Sequence, residues 1–255
     1  MKTKVNLVMA EFGVSRNNAG GNNLSNNDRL NPSLDSFLRV FQNKDTDVSV
    51  TVYTDQQRED TDNVKYIKKD PIYDPRHPRF GWRCNDYYKV LALLESDADI
   101  AISLDSDMFV LNSQALTLLD ITKKFGVCLP ANPRMLVNID GNIGADGNKD
   151  KQYDASKGNG FANNMSPISF DTNNTRARLL LEQYCIQMEN DPVRGPLAMW
   201  RAQWASGINP YLLPYQWCVC KSHCGIGNEI MLHVGHKEVA EYYSEKVVAS
   251  LYHTN

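Results

Sequence analysis

The stretch Ile100 to Leu111, IAISLDSDMFVL, constrains the fold of this chain more than any other. Ala101 to Leu104 is a short apolar run behind the polar Asp97-Ala98-Asp99, the pattern of a buried strand. Two carboxylates, Asp105 and Asp107, stand at its end with the small Ser106 between them. Acids in such a place are unfavourable unless something compensates their charge, and hard oxygen donors suit magnesium or manganese. Residues i and i+2 of a strand face the same side, so strand geometry aims both aspartates at one ion. If the chain turns at the strand end, Asp105 instead faces a ligand's sugar while Asp107 holds the metal. Competing with both is a solvated turn, because Asp and Ser favour turns through bonds to their own backbone. The apolar runs on either side, to Leu104 and from Met108 to Leu111, favour the metal reading.

The segments before this motif alternate between strand and helix patterns. Val5 to Met9 is an expected strand ending at Ala10-Glu11-Phe12-Gly13. Residues 17–31 are rich in Asn and Gly and predict a long polar loop. A helix is expected from Pro32-Ser33, with Leu34, Phe37, Leu38 and Phe41 at helical spacing. Val48 to Tyr53 alternates as a strand and ends at Thr54-Asp55, and Val64 to Ile67 is a short third strand. After a loop marked by Pro71, Pro75 and Pro78, Arg83 to Glu95 predicts a helix burying Tyr87, Val90, Leu91 and Leu94. This alternation predicts an α/β fold with an open sheet, whose ligands bind beyond the carboxyl ends of the strands. Glu11, Asp55 and Asp105 all stand at such ends, which is the main argument from the residues for a site.

The second half is less regular. Helices are expected at Ser113 to Phe125, Thr175 to Met188 (Leu179, Leu180, Tyr184 and Met188 near one face) and Leu197 to Trp204. A last helix is expected from Glu238 to Leu251, with Val239, Tyr242, Tyr243 and Val247 toward the core. Strands are expected at Gly126 to Leu129, Met165 to Phe170, Tyr211 to Pro214 and Glu229 to His236. Residues 138–160 are polar and rich in Gly, Asp and Asn, which predicts a mobile loop or acceptor-side lid. No repeat or linker divides the chain, so a single domain over residues 1–255 is expected, and that length supports one full core.

Composition excludes several classes of function. A net charge of −3 leaves no basic footprint for nucleic acid. No stretch is long and apolar enough to be a transmembrane segment, and Glu11 closes the first apolar run without a small-residue cleavage site. Six cysteines in a chain this long do not form a disulfide scaffold, and the expected setting is reduced and cytoplasmic. Cys218, Cys220, His223 and Cys224 offer soft ligands for zinc, but their spacing lacks a Cys-x-x-Cys knuckle, so buried or free thiols are expected. Trp200, Trp204 and Trp217 are candidates for a sugar-stacking surface, with core packing expected for at least two.

The order of elements, with Leu104-Asp105-Ser106-Asp107 after a helix and a late His233-Val234-Gly235-His236-Lys237, resembles the GT-A glycosyltransferases, closest in style to the glycogenin-like and bacterial galactosyltransferase group. The resemblance implies a GT-A-like open mixed sheet, Rossmann-like and flanked by helices. It implies a metal-dependent transferase moving a sugar from a nucleotide-diphosphate donor to a carbohydrate, lipid or protein acceptor. In that group the D-x-D binds manganese and the diphosphate, and a histidine in His-x-x-Gly-x-x-Lys is a third ligand. Here each spacing is one residue shorter; His233 matches better because Gly235 and Lys237 follow it, and His236 stays open. The implied metal ligands are Asp105, Asp107 and His233, and the imidazole favours Mn2+ over Mg2+.

Ala10, Glu11, Asp55, Arg83, Ser106, Gly235 and Lys237 join the two aspartates as implied donor contacts. Leu212-Leu213-Pro214-Tyr215-Gln216-Trp217 resembles the group's Leu-Pro-x-x-Trp, and Phe161-Ala162-Asn163-Asn164 resembles its Phe-Asn-x-Gly. The group's Asp-Gln pair has no counterpart: Arg194-Gly195-Pro196 and Gln203 lie in that region. Asn163, Asn164 and Gln203 are therefore the catalytic candidates. Against these roles stand a solvated helix face for Arg83 and Lys89, strand-end turns for Glu11 and Asp55, and a core histidine for His233. Two other functions compete: a sugar-phosphate nucleotidyltransferase, disfavoured because residues 11–31 hold no compact Gly-, Arg- and Lys-containing loop, and a non-catalytic carbohydrate-binding protein.

Overall fold

Strand β1 (Thr3–Glu11) is buried without interruption from Val5 to Glu11, the pattern of a strand covered on both faces. In the computed structural model it pairs in parallel with β2 (Thr46–Thr54) on one side and β4 (Ile100–Ser103) on the other. The structure describes residues 2–13, 30–62, 64–77, 80–135, 161–190, 194–221, 227–234, 239, 241 and 243, except the side chains at 30–32, 133–135 and 161–162. The sheet has eight strands in the order β3-β2-β1-β4-β8-β6-β7, with β9 beside β6. Strand β3 (Lys65–Lys68) extends the parallel half. Beyond β4 the sheet turns mixed: β8 (Ile168–Asp171) runs antiparallel between β4 and β6 (Val127–Met135). Strand β7 (Phe161–Asn163) is antiparallel to β6, and β9 (Tyr211–Leu213) is parallel to it.

The sheet carries two cores, one on each face, and β1 shows how a strand serves both. Val5, Leu7 and Met9 point to a core with Leu34, Phe37 and Phe41 of α1 (Leu30–Phe41) and Leu118 and Leu119 of α3 (Thr117–Phe125). Val8 and Ala10 point the other way, to Val90 and Leu93 of α2 (Phe80–Leu94), Leu181 and Tyr184 of α4 (Thr175–Asn190) and Leu197 of α5 (Gly195–Ser206). The result is three layers, helix on sheet on helix.

Several expected boundaries shift for local reasons. The Ser113 to Phe125 helix divides into a 3-10 turn, Ser113–Leu116, capped by the Asn112 side chain, and α3. Gly126 ends α3 at φ +84, where a Cβ would meet the Asn174 side chain at 2.5 Å. The strand after it runs on to Met135, past the expected Leu129. The expected Met165 to Phe170 strand begins only at Ile168, since Pro167 has no N–H to donate. Leu179, expected on the buried face of α4, is 44% exposed; the buried stripe is Leu180, Leu181, Tyr184 and Met188. The 138–160 segment, 17–29 of the first expected loop and most of the final helix lie outside the described residues. Of that helix, Val239 and Tyr243 are buried and joined by one helical hydrogen bond of 2.9 Å.

A second, two-stranded sheet pairs β5 (Met108–Val110) antiparallel with β10 (Met231–His233). The expected strand from Glu229 to His236 is therefore shorter, because its partner offers only the backbone between Met108 and Val110.

Candidate functional site

Strand β4 stops pairing as it reaches the two aspartates. The Leu104 N–H still donates to the Val8 carbonyl at 2.9 Å, and then the chain turns, with the Met108 N–H on the Asp105 carbonyl at 3.0 Å. Asp105 and Asp107 thus lie in a turn rather than in a strand. The β5–β10 ladder faces Met108 with His233, and the Val234 N–H donates to the Asp107 carbonyl at 2.9 Å. His233 Nε2 is consequently 3.1 Å from Asp107 Oδ1 and 3.8 Å from Asp105 Oδ2. One ligand atom from each residue lies within 4.8 Å of the others. Asp107 is buried, at 3% exposure, while Asp105 is half-buried.

Burial disfavours charge on His233, but the Asp107 carboxylate and a hydrogen bond with Cys218 outweigh it and hold the imidazole well above its ordinary pKa. The Cys218–Val219 segment lies beside β10: the His233 N–H donates to the Val219 carbonyl at 3.1 Å. Two carboxylates and an imidazole at this spacing fit a divalent ion with mixed oxygen and nitrogen ligands. Among the described residues, this is the group arranged to hold one.

Helix α2 supplies the next layer. Lys89, read as a candidate for a solvated face, is 2% exposed and pairs with Asp105 Oδ1 at 3.1 Å and Asp86 Oδ1 at 3.4 Å. Burial opposes its charge, and the two carboxylates overcome that and raise its pKa. Arg83 is buried too, close enough to Tyr73 for its charge to act on that phenol, so the solvated-face reading fails for both cations.

At the end of β1, buried Ala10 and Glu11 lead into an exit turn. Glu11 pairs with Arg58 at 3.3 Å, and the Arg58 guanidinium lies 5.5 Å above the Tyr66 ring. The Phe12 N–H donates to Asn85 Oδ1 at 2.9 Å and the Gly13 N–H to Asp55 Oδ2 at 3.0 Å. Asp55 thus braces a turn while its other oxygen, Oδ1, is buried without a hydrogen bond among the described residues. Ser106 Oγ is in the same state beside the metal candidates.

No protein-family model matches the sequence, and no curated protein does. Solved structures do match. The bifunctional glycosyltransferase WbbM superposes with a TM-score of 0.63 at 11% identity, over 99% of this chain and 50% of that one. The galactosyltransferase LgtC, solved with donor and acceptor sugar analogues, gives 0.57 at 10% identity, over 98% and 95%. Mouse xyloside xylosyltransferase 1 gives 0.52 at 12% identity, over 91% and 97%. The chain has the GT-A fold. At these identities the likeness is one of fold, and the chain spans half the length of WbbM.

Within the GT-A frame, Glu11 ends a parallel strand, and Asp55, Asp105 and Asp107 follow the carboxyl ends of two others. Asn163 is buried at the end of β7. Asn164 is tied inward: Oδ1 accepts from Asn132 at 2.8 Å, and Nδ2 donates to the Ala131 carbonyl at 3.3 Å and to Cys220 Sγ at 3.7 Å. Gln203 is a half-buried residue of α5. Trp217 is in the core shared with α1, Trp200 packs against the core on the opposite face of the sheet, and Trp204 is 73% exposed, 5.8 Å from Trp200 between ring centroids. Cys218 and Cys220 are buried thiols that are not in a disulfide. Cys224, His223, Gly235, His236 and Lys237 lie outside the described residues. Sequence reasoning missed Arg58, Asn85, Asp86 and Ser166. Only Asp86 carried a signal, its spacing of three from Lys89 on a helix.

Proposed function

We propose that this chain is a metal-dependent glycosyltransferase that moves a sugar, of hexose type, from a nucleotide-diphosphate donor to a carbohydrate, lipid or protein acceptor. The observation that carries this reading is the convergence of Asp105, Asp107 and His233 at the strand ends of a GT-A sheet. The whole of residues 1–255 is taken as one transferase domain. Asp105, Asp107 and His233 would hold Mn2+ (or Mg2+), and once bound the ion would neutralise charge growing on the departing diphosphate.

The remaining steps belong to the chain itself. Glu11 and Ala10, at the end of β1, would face base and ribose, with Asp55 holding the turn that shapes that end. Ser106 would offer its hydroxyl, which lacks a hydrogen bond among the described residues, to the donor. Arg83, Gly235 and Lys237 would meet phosphate oxygens, where a cation gains most from a short contact. Asn163, Asn164 and Gln203 would lie on the acceptor side. His233 must give up its proton to become a ligand, so Asp107 would pass from pairing an imidazolium to sharing an ion.

The test is a thermal-shift screen of nucleotide sugars with and without Mn2+, followed by calorimetry of the stabilising donor's nucleoside diphosphate on Asp107→Ala. A donor that stabilises only with Mn2+, and whose metal-dependent affinity is abolished by Asp107→Ala, is expected. Unchanged affinity in that variant would sink the metal assignment. Release of pyrophosphate would identify a nucleotidyltransferase, and binding without turnover a carbohydrate-binding protein.

A further inference from the structure

Lys89 is a cation buried beside a site read as cation-binding, which is an uncommon place for an ammonium group. It lies on the same face of α2 as Trp82 and Asp86, which are seven and three positions before it. All three touch functional structure. The Arg194 guanidinium, at the residue that caps α5, lies 4.3 Å above the Trp82 ring. Asp86 Oδ2 accepts the Gly195 N–H at 3.0 Å, the first backbone donor of α5. Asp86 Oδ1 meets Lys89, and Lys89 meets Asp105 Oδ1. Residue 195 has to be small for this to hold, because a Cβ there would come within 3.1 Å of the Asp86 carboxyl and 2.9 Å of Met165.

We propose that Asp86 and Lys89 are positioning residues that tie the head of α5 to the metal centre by fixing the carboxylate of Asp105. The inference rests on the metal reading given above. Lys89 takes Oδ1 of Asp105 and leaves Oδ2, the oxygen on the His233 side, for the ion. The Asp105 N–H is held at the same time by Ser166 Oγ at 2.8 Å, so both ends of the residue are fixed. Asp86 shares the ammonium, which keeps Lys89 from committing its whole charge to Asp105 and weakening it as a ligand. The charges close as well: Asp86, Asp105 and Asp107 balance one ammonium and one divalent ion around a neutral imidazole. A shift of α5 is then felt at Asp105 through three contacts in series.

The experiment is calorimetric titration of Mn2+ alone into the full chain and into Lys89→Met, Lys89→Arg and Asp86→Asn, with melting temperatures measured with and without Mn2+. Lys89→Met should weaken Mn2+ binding by roughly tenfold or more, the usual scale for a residue that orients a metal ligand. Lys89→Arg should recover part of that loss by keeping the charge. Asp86→Asn keeps an acceptor for the Gly195 N–H and should fold, yet lower the affinity and shrink the Mn2+-dependent rise in melting temperature. A purely structural role would lower the melting temperature equally with and without the ion. Affinity of Asp86→Asn within about twofold of wild type would overturn the relay, even if Lys89→Met does not fold. Absence of Mn2+ binding by the wild-type chain would instead overturn the metal reading itself.

Discussion

His233 has two jobs at the residue scale. Its half-buried imidazole pairs with the buried Asp107, and its Nε2 is the third ligand atom of the candidate centre. Neither a packing histidine nor a surface ligand would behave as this one should. Truncation leaves the buried Asp107 carboxylate facing Asp105 without the imidazolium, so His233→Ala should cost about 1–3 kcal/mol in metal-free buffer at neutral pH. The same variant should lose its Mn2+-dependent stabilisation. Denaturant melts with Mn2+ and with chelator measure both effects. A variant that unfolds earlier yet is stabilised by Mn2+ as wild type is would make His233 structural only.

Placement is decided at the element scale by a very short ladder. Strand β10 reaches the site because β5 and the Val219 bridge hold it from two sides. Leu232 is fully buried against Val219, Val239 and Tyr243, in a small core separate from the two on the main sheet. Leu232→Ala should cost about 2–5 kcal/mol and also weaken Mn2+ binding, since His233 is the next residue of the strand. Leu181→Ala on α4 opens a cavity in the main core and should cost a similar amount while leaving Mn2+ affinity unchanged. Equal effects of the two variants on Mn2+ affinity would mean that global stability, rather than the position of β10, sets metal binding.

For the whole molecule, ligand binding and folding are linked by mass action. Mn2+ at about a hundred times its dissociation constant should add about 2.7 kcal/mol of stability, provided the unfolded chain does not bind it. For a chain of this size that is a rise of about 5–10 °C in melting temperature, absent with chelator and absent in Asp107→Ala. Much of the frame behind this expectation is legible in the residues alone. The run Leu7 to Ala10 of β1, apolar on both faces, and the spacing of Leu34, Phe37 and Phe41 determine a two-sided sheet and the helix on it, because strand and helix periods are local properties. The two aspartates announce a strand end in the same way. Other features have no local signature. Asp105 and Asp107 lie in a turn, His233 meets them across more than a hundred residues of chain, and Lys89 leaves the solvated face its charge suggests. The structure alone decides these, since each depends on which element packs beside which: β10 on β5 brings the imidazole to the acids, and α5 beside α2 holds Asp86, whose partner Lys89 is buried against Asp105.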